Sequence, residues 1–176
     1  QLLIENKITE DRALNDKFLK LDANIKEYHK NFKLLVINIR DRGIQHYGKM
    51  GDALEMHNII IHKLGTVNDL IINELLNQLS DKIELYGKSF NDALINEISG
   101  LSDQIISQSF SLSEQYPELD LNILSTQFES LNSKLKIISE KNSEIGIKSN
   151  SGILGKIKNI STELNNILLD ISSVLY

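Results

Sequence analysis

The chain has 176 residues, 41% hydrophobic and 24% charged, which suits one folded domain with a real core and excludes a disordered segment. A formal net charge of -5, with no dense Lys or Arg cluster, argues against nucleic acid as a partner. The lack of cysteine excludes disulfides, thiol catalysis and cysteine metal sites, and is compatible with an oxidising compartment.

The first helical pattern runs from about Leu2 to Arg42. Leu21, Ile25, Tyr28, Phe32, Leu35 and Ile39 recur at alternating spacings of four and three, a heptad stripe expected to pack on a neighbouring helix. Gly43 is placed to end this helix in a left-handed conformation. Within it, Leu34–Ile39 is the most apolar run, and it falls far short of the roughly 20 residues that span a membrane. No signal peptide is visible, and the chain stops inside a helical pattern, so it reads as the soluble piece of a longer protein.

Asp52 can open a second helix carrying Leu54, His57, Ile61 and Leu64. Gly65-Thr66 interrupts it, and Thr66 or Asn68 can cap a restart. Leu76, Leu79, Ile83, Tyr86, Phe90, Leu94, Ile98, Leu101 and Ile105 then keep one phase, which predicts a single helix to about Leu112. Tyr116-Pro117 breaks the pattern, and Glu118 and Asp120 suit the start of a third helix. That helix carries Leu124, Phe128, Leu131, Leu135, Ile138 and Ile145, with Asn142 on the same stripe. The last stripe, Ile153, Ile157, Ile160, Leu164, Ile167, Ile171 and Val174, is the most regular. No stretch alternates with period two. The expected fold is all-α: an elongated antiparallel bundle of four main long helices, termini near one end, in one domain spanning 1–176. Hairpin one covers about 1–112 and hairpin two about 117–176.

Six of nine glycines lie in two clusters, Gly43, Gly48 and Gly51, then Gly146, Gly152 and Gly155. Superposing them aligns Tyr28, Phe32, Leu35 and Val36 with Leu131, Leu135, Ile138 and Ser139, at equal distances before Gly43-Ile44 and Gly146-Ile147. The first cluster has one residue fewer before its next glycine. The two hairpins therefore read as copies of one plan.

This arrangement resembles the helical sensory domains of bacterial transmembrane receptors, above all the helical bimodular group. The residues that carry it are Tyr28, Phe32, Leu35, Val36, Gly43, Ile44, Gly48 and Gly51 in one copy, and Gly146, Ile147, Gly152, Gly155 and Lys158 in the other. The family's basic position after the last glycine is Lys158 in the second copy and about Leu54 in the first. Leu79-Ser80-Asp81-Lys82-Ile83 stands where many relatives have an Arg-rich stretch, and the chain is shorter than a full two-module domain. The resemblance implies a periplasmic domain of an inner-membrane receptor, anchored by segments absent here. It implies a small-molecule ligand or a ligand-loaded periplasmic binding protein, a homodimer, and a chemotaxis, histidine kinase or cyclic-dinucleotide output.

Arg42 continues the first stripe three residues beyond Ile39, so it can point inward and grip a carboxylate, or lie solvated at a helix C-terminus. His57 shares a face with Leu54 and Ile61 and can meet a ligand or serve as a hydrogen-bonded core residue. Asn142 interrupts the third stripe as Arg42 ends the first. If the hairpins lie side by side, Arg42, Asn142, Lys148 and Lys158 gather at one end as a pocket for a small organic anion. The alternative for Asn142 is a buried residue that sets helix register. No catalytic motif, phosphate loop or metal spacing is present, so an enzyme, a cofactor and a metal are not expected. The rival reading is a non-sensory helical interaction or toxin-like bundle.

Overall fold

The computed structural model describes the backbone of residues 2–44, 46–147 and 151–175, and the side chains of residues 12–44, 46–147 and 151–173. It contains α1 (Leu2–Arg42), α2 (Gly48–Leu64), α3 (Leu70–Ser89), α4 (Ala93–Ser111), α5 (Leu121–Ile145) and α6 (Gly152–Leu175), and no strand among the described residues. The all-α antiparallel bundle expected from the stripes is what forms.

One helix was expected from the Gly65 region to Leu112, and here the structure corrects the sequence reading. The segment is two helices, α3 and α4, folded back on each other. Phe90 takes a left-handed conformation at φ +49° and ψ +36° and ends α3. Ser89 Oγ accepts from the Asn91 amide and Asn91 Oδ1 accepts from the Ala93 amide, both at 3.3 Å. Such short-range side-chain bonds offer the backbone an alternative to the helix. The stripe hid the break because the turn returns the chain in phase, with Tyr86, Phe90, Leu94 and Ile98 all four apart. The restart after Gly65 is capped by Asp69, whose carboxylate accepts from the Ile72 amide at 2.8 Å, and not by Thr66 or Asn68. Likewise α2 begins at Gly48, before Asp52. Asp120 does cap α5, accepting from the Asn122 and Ile123 amides at 3.0 Å.

The chain divides into two compact units. Unit 2, Ile39–Asn142, holds α2, α3, α4, most of α5 and the end of α1. Met50 Cε faces Gly87 and His57 faces Ser80, so α2 and α3 run antiparallel. Lys82 pairs with Glu97 at 2.5 Å between α3 and α4, and Ser139 donates to Asp92 at 2.7 Å between α5 and the start of α4. Ile60, Leu79, Ile98, Phe128 and Leu135, from all four helices, belong to one continuous buried cluster. Each such side chain contributes about 1.5–3 kcal/mol on burial.

Unit 1 joins Gln1–Asn38 with Ser143–Tyr176. Lys20 bridges Glu163 at 2.8 Å and Lys17 reaches the Asp170 carbonyl at 3.4 Å, so α1 and α6 run antiparallel. The α6 stripe packs as expected at Ile160, Ile167 and Ile171, while Val174 lies outside the described side chains. On α1 the packed row is Leu21, Asn24, Tyr28, Asn31 and Leu35, and not the whole expected stripe. Ile25 and Phe32 instead stand in solvent beside Phe18, at 52%, 49% and 48% exposure. The apolar face of α1 is wider than one partner helix covers. The proposed copies also differ here, since Leu135, the counterpart of Phe32, is fully buried.

The two glycine turns adopt one geometry. Gly43 and Gly146 have φ +89° and +85°, and Gly48 and Gly152 have φ +61° and +63°. The Gly51 amide bonds the Tyr47 carbonyl at 3.2 Å, as the Gly155 amide bonds the Ser151 carbonyl at 3.0 Å. The Tyr47 carbonyl stands beside Gly43 as the Ser151 carbonyl stands beside Gly146, although the second turn is one residue longer.

Candidate functional site

Arg42 is the last residue of α1 and points inward, with 7% of its surface exposed. Nη1 donates to Asn142 Oδ1 at 3.3 Å, and Nε donates to the Gly43 carbonyl at 3.2 Å. The guanidinium carbon lies 4.4 Å from the centre of the Phe90 ring, close enough for attraction to the π face. Among the described residues no carboxylate pairs with Arg42. The neighbouring Asp41 pairs instead with Lys141, at 3.8 Å. Burial pulls the Arg42 pKa down and the Tyr86 phenol opposes that pull. The group still stays charged, as a guanidinium does at any ordinary pH.

The surrounding polar groups hold this geometry. Tyr86 donates its hydroxyl to the Leu135 carbonyl at 3.3 Å, and its ring meets Phe90 edge-on at 6.0 Å. Burial raises the Tyr86 pKa far above the ordinary phenol range, and the charge of Asp92 adds to the rise against the opposing pull of Arg42 and Asn142. It is neutral and cannot serve as a counter-ion. Asn142 is buried, and its Nδ2 has no protein hydrogen-bond partner.

Arg42 opens onto a cavity of about 760 Å³ between the end of α1, α2 and α3. Met50, Leu54, Ile83 and Phe90 make its walls apolar, and Gly87 leaves room where a side chain would stand. His57 and Ser80 form its other polar end, and Glu84 pairs with Lys88 at the exposed rim. A volume of this size is within the range of small-molecule sites, as is the mix of apolar walls with a few polar anchors. A smaller hollow of about 350 Å³ beside Met56 and Gln127 has no charged residue in its lining.

His57 is buried and bonded to Ser80 at 3.1 Å. Ser80 Oγ donates to the Leu76 carbonyl at 2.8 Å, so it must accept from His57. The imidazole proton therefore sits on Nε2 and leaves Nδ1 as an acceptor. Burial lowers the His57 pKa from its ordinary 6.5. As pH falls below that value, the unfolded chain takes up a proton that the folded chain resists. Stability from this group is thus complete above pH 6.5 and declines as pH falls toward the lowered value. The melting temperature is expected to drop between pH 7.5 and 5.5 by an amount that shrinks in His57→Gln; an equal drop in the variant would remove His57 as its source. The other ionisable groups lining the cavity are Arg42, His46, Glu84 and Lys88.

The structure thus brings Arg42 and Asn142 together and puts His57 in the same cavity. Lys158 is an exposed residue of α6 and does not line the cavity, and Lys148 lies outside the described residues. Sequence reasoning missed Phe90, which it placed in the core stripe of an unbroken helix. The signal was Asn91-Asp92 directly after Phe90, a pair that favours turns. Among the described residues no three His, Cys, Asp or Glu side chains converge as metal ligands, and no helix is long and apolar enough to cross a membrane. Comparison of the chain with protein-family models, curated proteins and solved structures gives no match.

Proposed function

We propose that this chain is the ligand-sensing domain of a bacterial transmembrane receptor and that it binds a small organic anion through Arg42. The observation that carries the reading is a buried arginine with no carboxylate partner among the described residues, facing a cavity of about 760 Å³. An anion there gains charge-assisted hydrogen bonds from a guanidinium that is itself largely withdrawn from solvent. The matched glycine turns support the family resemblance, and with it a periplasmic location and anchoring through membrane segments outside this chain.

Signalling would follow from a population shift, in which the ligand favours one helix offset over another. Arg42 ends a continuous helix of 41 residues, so a displacement of its guanidinium is a displacement at the end of α1. The exposed row Phe18, Ile25 and Phe32, spaced by sevens, is the face proposed for the homodimer, with Ile25→Asp expected to give a monomer in sedimentation.

A thermal-shift screen of small carboxylic acids tests the reading. At least one is expected to raise the melting temperature at millimolar concentration or below. If none does, and a ligand-loaded periplasmic binding protein does not associate either, the sensing role is wrong. The interaction-bundle alternative, which the exposed row on α1 also suits, then takes its place.

A further inference from the structure

We infer that the Arg42 cavity selects an elongated organic monoanion, with an apolar body and a hydrogen-bond donor at its far end, over a short dicarboxylate. The inference rests on the anion-binding role of Arg42 and adds the shape and end-group chemistry of the ligand.

Charge sets the number of anionic groups. Among the described residues Arg42 is the one buried cation of the lining, and Lys88 at the rim is already paired with Glu84. The opposite end offers His57, held neutral by burial. A second carboxylate placed there would find no cation to offset its desolvation.

Hydrogen bonding sets the far end. The Ser80 contact commits His57 Nε2 as a donor and leaves Nδ1 as a lone pair. The only hydrogen bond of the ring among the described residues is the one through Nε2, and His57 lines the cavity. A ligand hydroxyl can donate to Nδ1, whereas a ligand carboxylate would set lone pair against lone pair.

Geometry sets the length and the body. Ser80 marks the His57 end and Ser89, beside Phe90, the Arg42 end; nine residues of helix separate them by about 13 Å. The side chains of Arg42 and His57 span part of that distance, and a chain of several carbons spans the remainder. Along the way the ligand meets Met50, Leu54, Ile83 and Phe90. A Cβ on Gly87 would come within 3.1 Å of Met50 Cε, so Met50 lies over the open glycine face. Its flexible thioether can repack around an apolar body.

Calorimetric titration of the full chain with octanoate, ω-hydroxyoctanoate, octanedioate and succinate tests this. Octanoate, ω-hydroxyoctanoate and octanedioate share one carbon count and differ only at the far end. The hydroxylated acid is expected to bind about tenfold more tightly than octanoate, as one added hydrogen bond allows. Octanedioate and succinate are expected to bind more weakly than octanoate. In His57→Phe the ratio of ω-hydroxyoctanoate to octanoate affinity should fall to about one. Should that variant not fold, the four ligands on the unaltered chain decide alone. Tighter binding of succinate or octanedioate than of ω-hydroxyoctanoate, lost in Arg42→Met, overturns the selectivity and leaves the anion sensor standing. Binding of none of the four overturns the inference, and the sensor reading then stands or falls on the wider acid screen. Binding that survives Arg42→Met removes both the inference and the role of Arg42.

Discussion

Gly43→Ala is expected to destabilise unit 2 by about 3 kcal/mol or more, among the largest effects of any single methyl group in this chain. At φ +89° a Cβ on residue 43 would stand 1.7 Å from the Tyr47 carbonyl oxygen and 2.7 Å from its carbon. Neither atom can yield, because the Tyr47 carbonyl accepts from the Gly51 amide in the first turn of α2. The turn must reopen, and its opening also shifts Arg42, whose Nε is bonded to the Gly43 carbonyl. Gly146→Ala should behave alike in unit 1, where the Cβ would meet the Ser151 oxygen at 2.0 Å. Gly100→Ala is the control. It lies inside α4 with no atom within 4 Å of its added Cβ, so it should stabilise by up to about 1 kcal/mol through helix propensity. Urea unfolding followed by circular dichroism reads all three. A neutral Gly43→Ala would show that the left-handed turn is not held in solution, and the equivalence of the two turns would go with it.

Arg42→Met is expected to abolish the response to carboxylic acids while unfolding within about 1 kcal/mol of the parent chain, or about 2–4 °C in melting temperature. The substitution loses the bonds to Asn142 and Gly43 and the contact with the Phe90 ring. It also removes a guanidinium that is buried without an opposite charge, and replacing buried charged groups by apolar ones of similar size is often neutral or favourable. Methionine keeps an unbranched, flexible stem, though a shorter one, and suits the apolar walls around it. Near-parental stability together with a lost response would mark Arg42 as a ligand anchor that costs stability. A loss beyond about 3 kcal/mol would instead mark it as a structural clamp between α1 and α5. A retained response would place the anion elsewhere.

Local periodicity made much of this protein legible. The α6 stripe is buried at Ile160, Ile167 and Ile171, and the α5 stripe is buried at Leu124, Phe128, Leu131, Leu135 and Ile138. Its place three residues beyond Ile39 left Arg42 either inward or solvated, and the structure turns it inward. Where a second structural rule competed with the stripe, the reading failed. Phe90 belongs to an unbroken apolar pattern, yet the polar residues around it close a turn, and the antiparallel packing of α3 on α4 makes that turn worth forming. On α1 the pattern supports either of two adjacent rows, Leu21–Tyr28–Leu35 or Phe18–Ile25–Phe32. The position of α6 alone chose the first.

By itself the sequence determined the all-helical class, the packed faces of α5 and α6 and the two glycine turns, because these depend on residues within a few positions of one another and on the intrinsic freedom of glycine. Only the tertiary structure decided that Arg42 meets Asn142 across 100 residues of chain, that Phe90 lies under the guanidinium, and that His57 and Ser80 line the same cavity as Arg42. Those meetings depend on the relative register of whole helices. A shift of one turn, about 5.4 Å, leaves every stripe intact and separates every polar pair.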